Sequence, residues 1–394
     1  MERLFLVTNP GSSSRKYALY RGDEAVCKLH FEMEDKNIVC TLKFPDGRKQ
    51  KLTHGFEKLT DTVKYAKQIF EDRDYIGPNS NLDAILARVV ATGEFFTTDH
   101  QVDAECLKHL ELAKKRAPLH VPVVAAEIEE CIKEFKDTPV ITISDSACHN
   151  TRDNIRKYYA IDKDLADRAE IKRYGYHGLS IGSIAHYLKA HDLTAEKVVV
   201  CHLGSGASVT ALKDNQSFDT TMGYSPLEGV MMATRCGDID AAAAFAIGRE
   251  LGLEGEKLEE YLNKECGLLG VTGATDDMRD VISLRNNGDP RAKLAYDMYI
   301  YRIQRAIAQM AASLQGIDTL IFTATIGERN SEIRRDIATG LGYLGFRLSD
   351  TKNSDGLGTN RHINIATSSS KPIYVITTNE TNEMIRRAQS LLDK

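Results

Sequence analysis

The stretch Leu4–Val26, LFLVTNPGSSSRKYALYRGDEAV, is echoed at Val198–Phe218, VVVCHLGSGASVTALKDNQSF. Each copy runs from an apolar strand through a Gly/Ser turn into a second strand and then a polar turn, Arg21-Gly22-Asp23 in one and Lys213-Asp214-Asn215 in the other. Self-similarity about 190 residues apart predicts two domains that begin the same way. In both turns glycine lets the backbone approach an anion, and serine adds hydroxyl donors beside main-chain N–H groups. Each is either a phosphate-gripping hairpin or a plain Gly/Ser turn. A P-loop is excluded, because a strand follows the turn where that motif requires a helix. GSGAS also fails as a dinucleotide fingerprint, lacking the third glycine and the helix.

Around this echo, helix-length amphipathic segments alternate with short β-branched runs. Helices are expected near 56–74, 121–135, 178–190, 238–251 and 291–315, and strands at LFLVT, AILARVV, PVITIS, KVVVCHLG, TLIFTA and PIYVIT. The mixture predicts an α/β fold. The chain has 394 residues, 42% of them apolar, enough for two or three domains, and no low-complexity linker tethers them. The net charge of −5 arises from interspersed acids and bases, so no basic stripe for nucleic acid is present. The apolar run near the N-terminus is too short for a signal peptide or a membrane span, so a cytoplasmic protein with no membrane partner is expected. Eight cysteines form no C-x-x-C pair and no zinc spacing, which predicts scattered reduced thiols.

Several motifs place charge where a binding site needs it. In ARVVATGE (87–94), Arg88 sits on a strand between apolar neighbours and must reach a partner or a ligand. Asp145 in ISDSACHN (143–150) follows a strand, either as a metal ligand or base or as the cap of the next turn. Asp145 and His149 have i, i+4 spacing, but no third ligand is nearby in sequence. His177 in RYGYHGLS (173–180) precedes a helix, beside an anion or simply hydrogen-bonded. Arg235 in MATRCGDIDAAAA (232–244) lies ahead of an Ala-rich helix capped by Asp238 or Asp240, where it can fork onto a carboxylate or phosphate or form a surface ion pair. TLIFTATIGERNSE runs from a strand through Gly327 to a helix capped by Asn330 or Ser331, a junction suited to a nucleotide or to any crossover. Asp277 and Arg279 in DMRD are either ribose-and-adenine contacts or an ordinary helix start, and Glu380 in TTNE can join Asp145 on magnesium only if the chain returns to the first domain.

Taken in order, NPGSSSRK, RVVATGE, APLH, SDSACH, RYGYHG, HLGSGAS, MGYSPLEGVMMATRCGDID, GLLGVTG, DMRD, FTATIGE and TTNE resemble the acetate kinase family of the sugar-kinase/actin-like superfamily, over essentially the whole chain. The resemblance implies two duplicated actin-like (ribonuclease H-like) α/β domains flanking a cleft. Residues 1–150 with the C-terminal helix 380–394 would form the first, and 151–379 the second, which binds nucleotide and supports a homodimer. It implies reversible, direct in-line transfer of the ATP γ-phosphoryl group to acetate or another short-chain carboxylate, giving ADP and acyl phosphate, with Mg2+ or Mn2+. By position, Arg88 and Arg235 would hold the carboxylate and the transferring phosphoryl, His177 would donate to the transition state, and Asp145 would orient the acid. Asn9, Asp145 and Glu380 would surround the metal. Val90, Leu119, Tyr176 and Pro226 would line the acyl pocket. Ser12, Ser14, Lys16, His202, Gly204, Ser205, Gly206, Asp277, Met278, Arg279, Thr325 and Gly327 would contact nucleotide and phosphate.

The chain also departs from the family pattern. Ala91-Thr92-Gly93 replaces His-Gly-Gly, Ala87 replaces histidine, and Ser144, Ser146 and Cys148 replace two aromatics and a threonine around Asp145. Ser205 stands in place of asparagine, which implies slower turnover, and Thr325 in place of glycine, which implies an altered nucleotide contact. Tyr176 adds a hydroxyl to the acyl pocket, which favours a more polar acid. Two alternatives follow: the same chemistry with pyrophosphate or another donor, or a weakly active paralogue that senses a phosphorylated metabolite.

Overall fold

A computed structural model describes residues 2–11, 14–34, 37–53, 58–77, 82–117, 121–358 and 360–393. The chain divides into two compact units, Met1–Ala147 with Glu380–Lys394, and Cys148–Asn379.

The first unit is built on β1 (Leu4–Pro10), β2 (Ser14–Arg21), β3 (Glu24–Glu34), β4 (Asn37–Lys43), β5 (Lys49–Leu52), β6 (Ala84–Val89), β7 (His100–Gln101) and β8 (Val140–Ser144). These make one mixed sheet in the order β5-β4-β3-β2-β1-β6-β8-β7. β1 to β5 form an antiparallel meander, whereas β1, β6 and β8 run parallel. The helix Val121–Glu134 packs against β1, β6 and β8, and Thr62–Glu71 packs on that helix. Parallel strands covered on both faces read as unbroken apolar runs, as in β6 and β8, while β3 alternates buried Cys27, Leu29 and Phe31 with Lys28, His30 and Glu32.

The second unit repeats the arrangement with β9 (Lys197–Leu203), β10 (Ala207–Lys213), β11 (Gln216–Thr220), β12 (Thr319–Thr323), β13 (His362–Asn364) and β14 (Ile373–Ile376). Its sheet order is β11-β10-β9-β12-β14-β13, with β9, β12 and β14 parallel. The run β3-β2-β1-β6-β8 therefore has the same order and direction as β11-β10-β9-β12-β14. The long helix Pro290–Leu314 packs on β9, β10 and β11. Asp289 caps it by accepting from the Ala292 N–H at 2.8 Å, Pro290 opens it, and Ala292, Ala295, Tyr296, Tyr299, Ile303, Ala306, Ile307 and Met310 form its buried stripe.

The expected strands and helices are present, with boundaries set by particular side chains. The helix expected from 56 is preceded by a 3-10 turn at Leu59–Asp61 and regular from Thr62. The Ala-rich helix runs Ala241–Leu251, because Asp240 caps it at Ala242 while Asp238 instead accepts from the Gly229 N–H at 2.7 Å. Among the described residues no helix is long and apolar enough to cross a membrane, and all eight cysteines are free.

Phe322 on β12 is fully buried. Replacing it by alanine is expected to cost about 3–5 kcal/mol and to lower the thermal midpoint by roughly 10 °C, measured by scanning calorimetry. A shift under about 2 °C would show that the sheet collapses around the deletion.

Candidate active site

In the first unit, Asn9 and Lys16 are direct cross-strand partners on β1 and β2, both exposed, and the turn beyond them is closed by the Gly11 N–H donating to the Ser14 carbonyl at 2.8 Å. Ser14 opens β2, half-buried, whereas Ser12 lies outside the described residues. The stems of this hairpin are joined from below by Glu127. Thr8 Oγ1 donates to Glu127 Oε1 at 2.7 Å, and Arg15 Nε lies 3.5 Å from Oε2, with all three side chains buried. Burial pushes the Glu127 carboxyl above its usual range, against the opposing pull of Thr8, Tyr17 and Arg15.

Arg88 stands at the end of β6, and Asp145 follows β8 with its N–H donating to the Val89 carbonyl at 2.9 Å. Arg88 Nη2 donates to Asp145 Oδ1 at 3.0 Å and Nη1 to Glu380 Oε2 at 2.9 Å, so one guanidinium gathers a strand-end carboxylate and the first residue of the helix Glu380–Leu392. Burial opposes the charge on Arg88, but the two carboxylates outweigh it and hold the proton more firmly than usual. Its Nε is buried without a hydrogen-bond partner. The turn that follows Asp145 has its cap in the residue before it. Ser144 Oγ accepts from the Ser146 and Ala147 N–H groups at 3.1 Å each. Val90, expected in the acyl pocket, is half-buried just beyond β6, and Leu119 lies outside the described residues.

In the second unit the equivalent hairpin is closed by the Gly204 N–H donating to the Gly206 carbonyl at 2.9 Å. Ser205 is exposed at its tip, and its carbonyl accepts from the Ala233 N–H at 3.0 Å, which ties the turn to the segment bearing Arg235. His177 takes a left-handed backbone (φ 59°, ψ 21°) at the start of the helix Gly178–Ala190, yet its ring does not cap that helix. Its Nδ1 meets Ser208 Oγ at 3.0 Å, its ring stacks on that of His202 at 4.1 Å, and His202 Nδ1 meets Ser180 Oγ at 2.8 Å. A Cβ on residue 206 would lie 3.1 Å from His177 Nε2 and 3.5 Å from Arg235 Nη1. The glycine therefore lets an imidazole and a guanidinium close on the turn together.

Arg235 is otherwise placed by the Pro226 carbonyl, 3.4 Å from Nη1, and by Met232 Sδ at 3.7 Å. Among the described residues no carboxylate pairs with it, and burial alone lowers its hold on its proton. Tyr176 is buried, and its hydroxyl donates to the Tyr224 carbonyl at 2.7 Å. The added hydroxyl is thus committed to the backbone. Sequence reasoning passed over Ser208, which fixes His177; the signal for it is the cross-strand pairing of Ser208 with His202.

The remaining positions are less concentrated. Asp277 caps the helix Met278–Asn286, accepts from the Arg279 N–H at 2.8 Å and pairs with the exposed Arg279 side chain at 2.5 Å, while Met278 is buried. This arrangement has the form of an ordinary helix start. Thr325 is exposed on the first turn of the short helix Ala324–Arg329, and Gly327 is buried within it. Glu328 Oε1 accepts from the Ala324 N–H at 2.9 Å and the Thr378 N–H at 3.2 Å, bracing the ends of β12 and β14. His149 is fully buried, with both ring nitrogens engaged by Ser217 and the Tyr176 carbonyl. Among the described residues, no group of three or more His, Cys, Asp or Glu is arranged to hold a metal. A cavity of about 400 Å³ lined by Arg156, Arg173, Asp219, Glu228 and Asp238 includes none of the expected site residues.

Two units that share one α/β strand order, each with a glycine turn, belong to a phosphotransferase of the class that transfers to a carboxyl acceptor, as the family match assigns. The acetokinase family model matches residues 4–387, and the chain belongs to that family. It is 34% identical over 398 residues to an acetate kinase of Clostridium botulinum (strain Kyoto / Type A2), covering 99% of each chain. The structure is similar to a propionate kinase from Francisella tularensis (TM-score 0.89, 32% identity, 98% of each chain). It is also similar to an acetate kinase from Porphyromonas gingivalis (TM-score 0.87, 28% identity, 99% and 100% of the two chains).

The buried Arg15–Glu127 pair carries its own prediction. Removing one partner strands the other, so Arg15→Met is expected to cost about 3–5 kcal/mol, and Arg15→Met/Glu127→Met together to regain most of it. A carboxyl with a raised folded-state pKa binds more protons folded than unfolded, so its contribution falls as pH rises through that interval. Arg15→Met should therefore be less destabilised near pH 5 than near pH 8, measured by denaturant titration at both values. Equal loss at both would contradict a stranded carboxylate.

Proposed function

We propose that the protein reversibly transfers the γ-phosphoryl group of ATP to the carboxylate of acetate or a similarly short acid, by direct in-line displacement with Mg2+. The observation that carries the reading is the joint approach of His177 and Arg235 to Gly206, with Arg235 unmatched by a carboxylate among the described residues. A guanidinium half-buried without a counter-ion suits an anion that arrives with the substrate.

A carboxylate nucleophile needs no general base at neutral pH, so the work of the protein is positioning and charge stabilisation. Arg235 and His177 would meet the equatorial oxygens of the transferring group. Ser208 bears on this directly. When its hydroxyl donates to His177 Nδ1, the other nitrogen, Nε2, carries the proton and can donate it in a hydrogen bond. The Gly204–Gly206 turn and the Asn9–Lys16 pair would receive phosphate oxygens, each from its own unit.

Arg88, Asp145 and Glu380 together carry one net negative charge, and their oxygen donors, with the Asn9 amide, fit a hard divalent cation held largely through water. Bound there, Mg2+ would offset phosphate charge. Asp145 and Glu380 would hold it, and Arg88 would share its charge between them and the acid. The committed Tyr176 hydroxyl leaves an aromatic ring for the acyl group, which favours a short apolar chain over a polar one.

Acyl phosphate trapped as its hydroxamate, with ATP and pyrophosphate as alternative donors and acetate, propionate and glycolate as acids, tests the reading. Arg235→Ala is expected to lower kcat about 10²–10³-fold with acetate and ATP. No product from any combination overturns the assignment, and product from pyrophosphate alone replaces the donor. Ser205→Asn, which adds an amide donor at the tip of the second turn, is expected to raise kcat roughly threefold to tenfold. An unchanged rate would place that side chain away from the transferring group.

A further inference from the structure

The helix Glu380–Leu392 meets the rest of its unit through a second ionic contact, two turns beyond the first. Arg387 grips Asp99 with both arms of its fork, Nε to Oδ2 at 2.8 Å and Nη2 to Oδ1, and the two side chains are only 12% and 13% exposed. The same Asp99 Oδ1 accepts from the main-chain N–H of Ser144 at 2.8 Å. Ser144 is the last residue of β8 and the one immediately before Asp145.

These contacts close a ring. Asp145 follows Ser144, Ser144 is held by Asp99, Asp99 by Arg387, and Arg387 lies seven residues along one helix from Glu380. Glu380 pairs with Arg88, and Arg88 pairs with Asp145. Residues seven apart share a helix face, about 10.5 Å along its axis, so a grip on Arg387 fixes where Glu380 stands. A grip on Ser144 fixes where the backbone of Asp145 stands.

We propose that Asp99 and Arg387 are positioning residues that set the separation of the Asp145 and Glu380 carboxylates, and through it the affinity of that pair for a divalent cation. The proposal rests on the assignment of Asp145 and Glu380 to the metal in the phosphotransfer reading. The Asp99 side chain bears on the Ser144 N–H and on Arg387. The influence of Asp99 and Arg387 passes through one main-chain N–H and one helix. The two links are separable: Asp99→Ala removes both, whereas Arg387→Gln leaves Asp99 in place to accept from Ser144.

The experiment uses the full-length protein and three measurements at 25 °C: thermal midpoint, Mn2+ affinity by electron paramagnetic resonance, and the Mg2+ dependence of acyl phosphate formation. Asp99→Ala is expected to weaken Mn2+ binding about fivefold to tenfold and to lower kcat about tenfold, with KM for ATP within about twofold of the parent. Arg387→Gln is expected to give a smaller change in both, about threefold. A merely structural contact would lower the midpoint of a folded variant and leave Mn2+ affinity and kcat unchanged, and that result overturns the proposal. If the parent binds Mn2+ but forms no acyl phosphate, the phosphotransfer reading fails while the Mn2+ comparison still decides the positioning role. If Asp99→Ala does not fold, Arg387→Gln decides it, and parental Mn2+ affinity in that variant counts against the proposal.

Discussion

A guanidinium at the end of a parallel strand covered on both faces cannot be left alone, and Arg88 is such a group. Its charge is tolerable because two carboxylates meet it from different parts of the chain. Asp145 comes from the end of the neighbouring strand, a position that parallel register supplies without further design. Glu380 comes from the final helix, after the chain has built the whole of the second unit. Compensation of one half-buried cation, together with the apolar packing of Met384, Ile385 and Ala388, thus fits a path in which the last residues belong with the first.

The two hairpins show how one backbone plan acquires different chemistry. Asn9 faces Lys16 across the first pair of strands, and His202 faces Ser208 at the matching place in the second. Beneath the first, a buried Glu127 holds both stems through Thr8 and Arg15. Around the second, two stacked imidazoles are each pinned by a serine. The first turn is anchored by charge and the second by neutral hydrogen bonds. The second turn hosts Arg235 with no carboxylate paired to it among the described residues.

Much of this was legible in the residues. Unbroken β-branched runs mark the parallel strands, and the repeated strand–turn–strand exposes the duplication, because burial on both faces leaves an unmistakable composition. Arg88 stands out for the same reason: it is a charge in a run that has no solvent face. Other features carry no such mark. Glu127 sits in a helix with Glu129, Glu130 and Glu134, and nothing local separates the buried carboxylate from its more accessible neighbours. Asp145 and Ser144 both stand where a turn cap fits, and only the folded backbone puts the Ser144 hydroxyl under the turn. Asp99 and Arg387 are separated by 288 residues, so their pairing depends on tertiary structure alone. Strands β4 and β5 extend the first sheet with short, half-polar segments whose alternation is too brief to read with assurance.

Arg235 also has a consequence for how long the protein lasts. A cation held partly out of water with no carboxylate paired to it among the described residues is a standing cost to the empty fold, and an anion that settles against it returns that cost as stability. If Arg235 meets the transferring phosphoryl as proposed, the folded population would be coupled to the supply of phosphorylated ligand, and a protein starved of it would open more often to proteases than one kept occupied. On that reading the residue that serves the transfer would also shorten the lifetime of the idle enzyme, a trade between durability and turnover built into a single side chain.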